Sequence, residues 1–222
     1  MPTACVTASA PDGATHGALA EPSRWVRRWA HLVAPGGAVL DVASGAGRHA
    51  RFFAGRGHPV LALDRDASAL ATMRGVSGIE TLECDLEGGP WPFTGERAPA
   101  RFAAVVVTNY LHRPLMPGLI DALAPGGVLI YETFAQGNET VGKPSNPAFL
   151  LAPGELLAIC AGTLRVVAYQ DGFLSEPREA FIQRICAVRE VPRADPAQNG
   201  GQTGATPGAT QVLPVPRYDL AG

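Results

Sequence analysis

The residues of this chain that can do chemistry begin at one stretch, DVASGAGRHA (41–50), and recur at intervals after it. Gly45-Ala46-Gly47-Arg48-His49-Ala50 is G-x-G-x-x-A, a spacing that brings backbone close to a nucleotide at a helix N-terminus. Asp64 follows Gly45 by 19 residues, where a carboxylate accepts from the two ribose hydroxyls. Asp85-Leu86 stands after a further apolar run. Asn109, Tyr110, His112 and Arg113 follow RFAAVVVTN, and carboxyl ends of strands are where open α/β sheets bind ligands. His112 is the candidate general base, since an unperturbed imidazole titrates near neutrality. Tyr110 and Tyr131 are candidates to line an acceptor pocket. Glu132 is placed to hold an acceptor group or to orient His112.

The G-x-G-x-x-A spacing is shared by two kinds of ligand, and Asp41 separates them. It lies inside the C-terminal end of the apolar run AVLDVA, four residues before Gly45. A carboxylate there would face a bound pyrophosphate, and like charges a few ångströms apart in a partly buried site cost several kcal/mol. That counts against a nicotinamide dinucleotide. S-adenosylmethionine (SAM) carries a sulfonium and an ammonium instead, and an acid suits it.

The elements that must position these residues alternate. Ser23 is placed to cap a helix over RWVRRWAHLV, with Pro35-Gly36-Gly37 ending it. Strands are expected at 38–43, 58–64, 79–85, 101–109 and 128–134, with helices between them and Pro125-Gly126-Gly127 as a turn. A helix in GELLAICAG then precedes two strand-like runs, LRVVAYQDGF and EAFIQRICAVRE, that read as an antiparallel pair. The fold class is α/β: Rossmann-like, doubly wound, a mostly parallel seven-stranded sheet with an antiparallel last strand and helices on both faces. The expected organisation is a disordered segment at 1–20, one domain at 21–190 and a disordered tail at 191–222. The loop 135–153 is long enough for a lid, with Asn138, Lys143, Ser145 and Asn146 as its working groups.

Bulk properties bound the partners. A chain of 222 residues makes one sizeable domain. Its net charge of −2 gives no general pull towards nucleic acid or an anionic membrane surface. RWVRRW interleaves aromatic and basic residues, but at helical spacing the tryptophans share one face, so an amphipathic helix over the active site is the preferred reading. The four cysteines form no C-x-x-C pair and have no histidine at ligand spacing, so no metal site is expected and the chain reads as a reduced cytoplasmic protein. Its first 20 residues lack the charge and apolar core of a secretory signal, and no apolar run is long enough to span a membrane.

VLDVASGAGRHA resembles motif I of the class I SAM-dependent methyltransferases. Asp64, ending VLALD, resembles their ribose-binding acid. ECDLEGGPWPF resembles the segment in which Asp85 meets the adenine amino group and the Leu86 backbone meets the ring. VVVTNYLHRPL and LAPGGVLIYETF resemble the fourth strand and the turn into the fifth. GAGRHA and GHPVLALD are similar to small-molecule enzymes of the tellurite-resistance type. The resemblance covers about residues 20–190. It implies SAM as cofactor, held by Asp41, Gly45, Gly47, Asp64, Asp85, Leu86 and Asn109. It implies methyl transfer to an O, N, S or metalloid atom of a small molecule, with His112 and Tyr110 on the acceptor side. Three alternatives stand beside it: a tRNA or other RNA acceptor, a non-catalytic SAM-binding regulatory module, and an NAD(P)-dependent oxidoreductase. Base-amino methyltransferases place prolines after strand four, and Thr108-Asn109-Tyr110-Leu111 has none.

Overall fold

The computed structural model describes residues 20–93, 101–191 and 217–220. In chain order its elements are α1 (Arg24–Trp29), β1 (Val39–Val42), α2 (Arg48–Ala54), β2 (Val60–Asp64), α3 (Ala67–Ala71), β3 (Ile79–Glu83), β4 (Phe102–Thr108), α4 (Met116–Asp121), β5 (Leu123–Phe134), α5 (Glu155–Cys160), β6 (Arg165–Leu174) and β7 (Ala180–Val188). Among the described residues seven strands form one sheet, ordered β3-β2-β1-β4-β5-β7-β6. The first five pair in parallel, and β7 runs antiparallel to both its neighbours.

Side chains alternate between the faces of the sheet, and each face has its own cover. Leu40, Val42, Val105, Val107 and Tyr131 pack with Leu119 of α4 and Leu156 of α5. Val39, Ala104, Val106 and Ile130 pack with Trp25 and Trp29 of α1, Phe53 of α2 and Leu70 of α3. Burial on both faces explains why the central strands are continuous apolar runs in the sequence.

Two elements differ from the expectation. The helix begun at Ser23 ends at Trp29 and continues only as a tight 3-10 turn over Ala30–Leu32. The expected turn at Pro125-Gly126-Gly127 lies inside β5, opposite a register shift between Phe102 and Ala104 of β4. Gly126 takes a left-handed φ of +82 there and donates to the Arg189 carbonyl, so these residues bend the strand as a bulge does. Of the expected tail, residues 217–220 are described and dock on α1: Arg28 donates to the Leu220 carbonyl at 3.1 Å, and His31 Nε2 lies 3.0 Å from the Asp219 carbonyl. Residues 1–19, 192–216 and 221–222, where disorder is expected, lie outside the described residues, and Cys5 with them. The Cys160 and Cys186 thiols are buried, and burial pushes them up to about 11 and about 12, so both behave as small hydrophobes. No helix among the described residues is long and apolar enough to cross a membrane.

Candidate active site

The β1–α2 turn alternates left-handed residues. Ala43, Gly45 and Gly47 have φ of +52, +54 and +79. The series therefore starts two residues earlier than the G-x-G reading placed it, on an alanine. At Gly45 an added Cβ would meet nothing within 4 Å, so the loop faces open space. At Gly47 a Cβ would run into the Met73 side chain, so both conformation and packing require glycine.

Asp64 ties this turn to β2. One carboxylate oxygen accepts from the Gly45 N–H at 2.7 Å and the other from the Asp66 N–H at 2.9 Å. Each oxygen keeps a lone pair, and the residue lines a cleft of about 140 Å³ with Ala43, Asp85, Leu86, Glu87 and Tyr110.

Asp41 is placed differently from the sequence expectation. It is 1% exposed, beneath the loop. Its carboxylate accepts from the Ala50 N–H at 2.9 Å, in the first turn of α2. Gly47 caps that helix and has no side chain, so Asp41 supplies the missing capping oxygen from the neighbouring strand. Burial pushes its carboxyl up to about 7, against the pull of the Ala50 bond and the Arg48 charge.

Asp85 is exposed and folds the following turn. It accepts from the Glu87 N–H at 3.0 Å, and bonds to Glu87 and Gly88 hold its carboxyl below the usual range. The Arg65 and His112 side chains act on it in the same direction. Buried Leu86 lines the cleft beside Asp85, whereas His112 is near enough for its charge to act on Asp85 but is not among the lining residues. Asn109 leaves β4 in a left-handed conformation, φ +55, which asparagine tolerates, and its N–H donates to the Glu132 carbonyl at 2.9 Å. Tyr131 is 1% exposed, and its hydroxyl donates to the Tyr110 carbonyl at 2.8 Å. Tyr131 thus fixes the β4 exit and is not among the residues lining the cleft.

Glu132 does not reach His112. It belongs to a polar row running across four neighbouring strands, Thr108, Glu132, Arg184 and Gln170, each paired in register with the next. Arg184 donates to Glu132 at 3.2 Å and to Gln170 at 2.7 Å, with its guanidinium 4.8 Å from the Trp25 ring centre. Ser23 closes the row from above. Its hydroxyl donates to Glu132 at 2.8 Å, and its N–H donates to His49 Nε2 at 3.1 Å. An accepting Nε2 leaves the proton on Nδ1, 3.5 Å from the Thr108 hydroxyl. Burial pushes the His49 imidazole down to about 3, so it stays neutral. Arg184 and the bonds of Ser23 beyond its helix are absent from the sequence reading. Only the strand register, set by the fold, brings them together.

The loop 135–153 is pinned down. Arg113 donates to both carboxylate oxygens of Glu155, at 2.7 and 2.9 Å, and to the carbonyls of Ala148 and Leu150. Asn138 is 2% exposed and bonds to the backbone of Pro144 and Phe181, and Asn146 caps the turn Pro147–Phe149. Of the four expected working groups, Lys143, Ser145 and Asn146 are exposed. Gln183, fully buried, bonds to the Leu156 N–H and the Ala152 carbonyl.

No family model and no curated protein matches the chain. Solved structures do. TehB from Haemophilus influenzae superposes with a TM-score of 0.58 at 18% identity, over 72% of this chain, which spans only 60% of that protein. The glycopeptide N-methyltransferase MtfA, complexed with S-adenosylhomocysteine, gives 0.54 at 18% identity, over 77% of this chain and 90% of that one. The Burkholderia thailandensis 1,6-didemethyltoxoflavin-N1-methyltransferase, with 1,6-didemethyltoxoflavin and S-adenosylhomocysteine bound, gives 0.54 at 21% identity, over 75% of this chain and 76% of that one. The antiparallel β7 set between β5 and β6, the parallel β1–β5 and these superpositions agree: the chain has the fold of the SAM-dependent methyltransferases.

Proposed function

We propose that the chain is a SAM-dependent methyltransferase acting on a small molecule. A fold alone does not carry an activity. The observation that carries this one is the cleft at the carboxyl ends of β1–β4, where Asp64 and the open left-handed loop meet. The donor set fits SAM. Asp64 takes the ribose hydroxyls. Asp85 and the Leu86 backbone take the adenine. Gly45, Gly47 and Asn109 leave room for the methionine half, over a turn that Asp41 holds from below.

SAM supplies a methyl already activated on a sulfonium. The protein's work is then to align the acceptor with it and to exclude water. Ser23 and the row from Thr108 to Gln170 form the wall on the acceptor side. His112 belongs, in this reading, to the adenine end, and no residue is needed as base unless the acceptor must lose a proton. The acceptor is a small molecule in this reading: the net charge of −2 favours it over RNA, and the structural neighbours include a 1,6-didemethyltoxoflavin and a glycopeptide methyltransferase.

Thermal melting with SAM, S-adenosylhomocysteine, NAD and NADP tests the cofactor. A ligand at 100 times its dissociation constant stabilises by about 2.7 kcal/mol, which is several degrees for a domain of this size. Stabilisation by the two adenosyl ligands alone is expected. A shift with a nicotinamide nucleotide alone overturns the reading.

A further inference from the structure

One atom of the cleft has no role in the binding scheme above. Tyr110 Oη is buried and, among the described residues, has no hydrogen-bond partner. A buried hydroxyl without an acceptor destabilises a fold, and native structures rarely keep one without a reason. Looseness of the turn is not that reason. The Tyr110 carbonyl is held by Tyr131, and the preceding Asn109 by the Glu132 carbonyl.

Tyr110 itself lines the cleft. The charged groups that act on it are Glu87, Arg65, Asp85 and Asp64, and all four line the cleft. Burial and the carboxylates push the phenol well above its usual range, so it keeps its proton and can donate. None of these neighbours belongs to the row from Thr108 to Gln170. Tyr110 therefore shares its wall with the residues assigned to ribose and adenine.

We propose that Tyr110 is a nucleoside-binding residue, whose Oη donates a hydrogen bond to an oxygen or ring nitrogen of the adenosine half of the cofactor. This rests on the SAM reading and removes Tyr110 from the acceptor side. The ligand supplies the acceptor that the protein withholds, so the empty site carries an unsatisfied donor that binding repairs.

Tyr110→Phe tests this with two effects of opposite sign. The substitution keeps the ring and deletes the orphan, so the ligand-free variant should melt at or above the wild type. Its affinity for S-adenosylhomocysteine, measured by titration calorimetry, should fall about tenfold, the scale of one hydrogen bond. Free adenosine should weaken by the same factor, because it contains the whole contact. Unchanged affinities in the variant overturn the role of Tyr110 while leaving the SAM reading intact. Loss for S-adenosylhomocysteine with none for adenosine places the hydroxyl at the methyl end and overturns it too. A wild type that binds neither SAM nor S-adenosylhomocysteine removes the SAM reading itself.

Discussion

Ser23 Oγ donates to Glu132 Oε1 at 2.8 Å, joining the first turn of α1 to a strand end 109 residues away. The same oxygen accepts from the Trp25 and Val26 N–H groups, so one hydroxyl is both helix cap and tether. Ser23→Ala should destabilise the fold by about 1–2 kcal/mol, from the lost cap and the unpaired Glu132 oxygen together. Ser23→Thr should restore most of it. Ser23→Asp separates the two roles: aspartate is a good cap in isolation, but here it faces the Glu132 carboxylate and should be worse than alanine at pH 7. Urea unfolding of the three variants measures this, and an aspartate variant as stable as wild type would remove the tether.

Asp41 gives the fold a pH dependence of unusual sign. Its carboxyl is pushed up to about 7 in the folded chain, against about 3.9 for an unfolded aspartate. The folded state holds the proton more tightly, so this group's contribution falls as pH rises from about 4 to about 7. Asp41→Asn keeps an oxygen for the Ala50 N–H and cannot ionise. Its stability should gain on the wild type as pH rises through that interval. Parallel stability curves, by urea unfolding at several pH values, would contradict the buried carboxyl.

Ala43 is expected to tolerate the substitution that usually harms. Glycine in place of alanine costs about 0.4–1 kcal/mol through the unfolded chain. A left-handed alanine costs about 1–2 kcal/mol, and φ here is +52. Ala43→Gly should therefore match or exceed wild-type stability, by up to about 1 kcal/mol. A clear loss in urea unfolding would mean that the methyl packs usefully in the turn.

Arg113 is expected to matter for the loop more than for global stability. Its side chain is 42% exposed, so the pairing with Glu155 contributes little by charge alone. Its geometry spans both Glu155 and two loop carbonyls, which a lysine cannot copy. Arg113→Lys and Arg113→Met should both speed proteolytic cleavage within 135–153, while the denaturation midpoint moves little. Cleavage at the wild-type rate in both would show the loop to be held by Asn138 and Gln183 instead.

The sheet was legible because its central strands are buried on both faces and so read as unbroken apolar runs. Asp64 was legible because its distance from Gly45 follows from one strand, one turn and one helix. Asp41 was not, since a residue's position in a strand does not say which group its side chain meets. The row from Thr108 to Gln170 was hidden for another reason. Its members come from strands far apart in the chain, and only their pairing register aligns them. Tyr110 is legible as a residue at the end of β4, but the bonds of Tyr131 and Asn109 that fix its turn are not.

The partners of α1 also set an order of events in synthesis. Trp25 donates its indole N–H to the Ile185 carbonyl, 160 residues later, and its ring lies beside Arg184. Arg28 reaches Leu220. Helix α1 leaves the ribosome well before β7 and thus waits for that strand before its tryptophans can be covered. Such distant contacts close late and expose apolar surface meanwhile. The burial of Trp25 and Trp29 is accordingly expected to be among the final steps by which this chain becomes native.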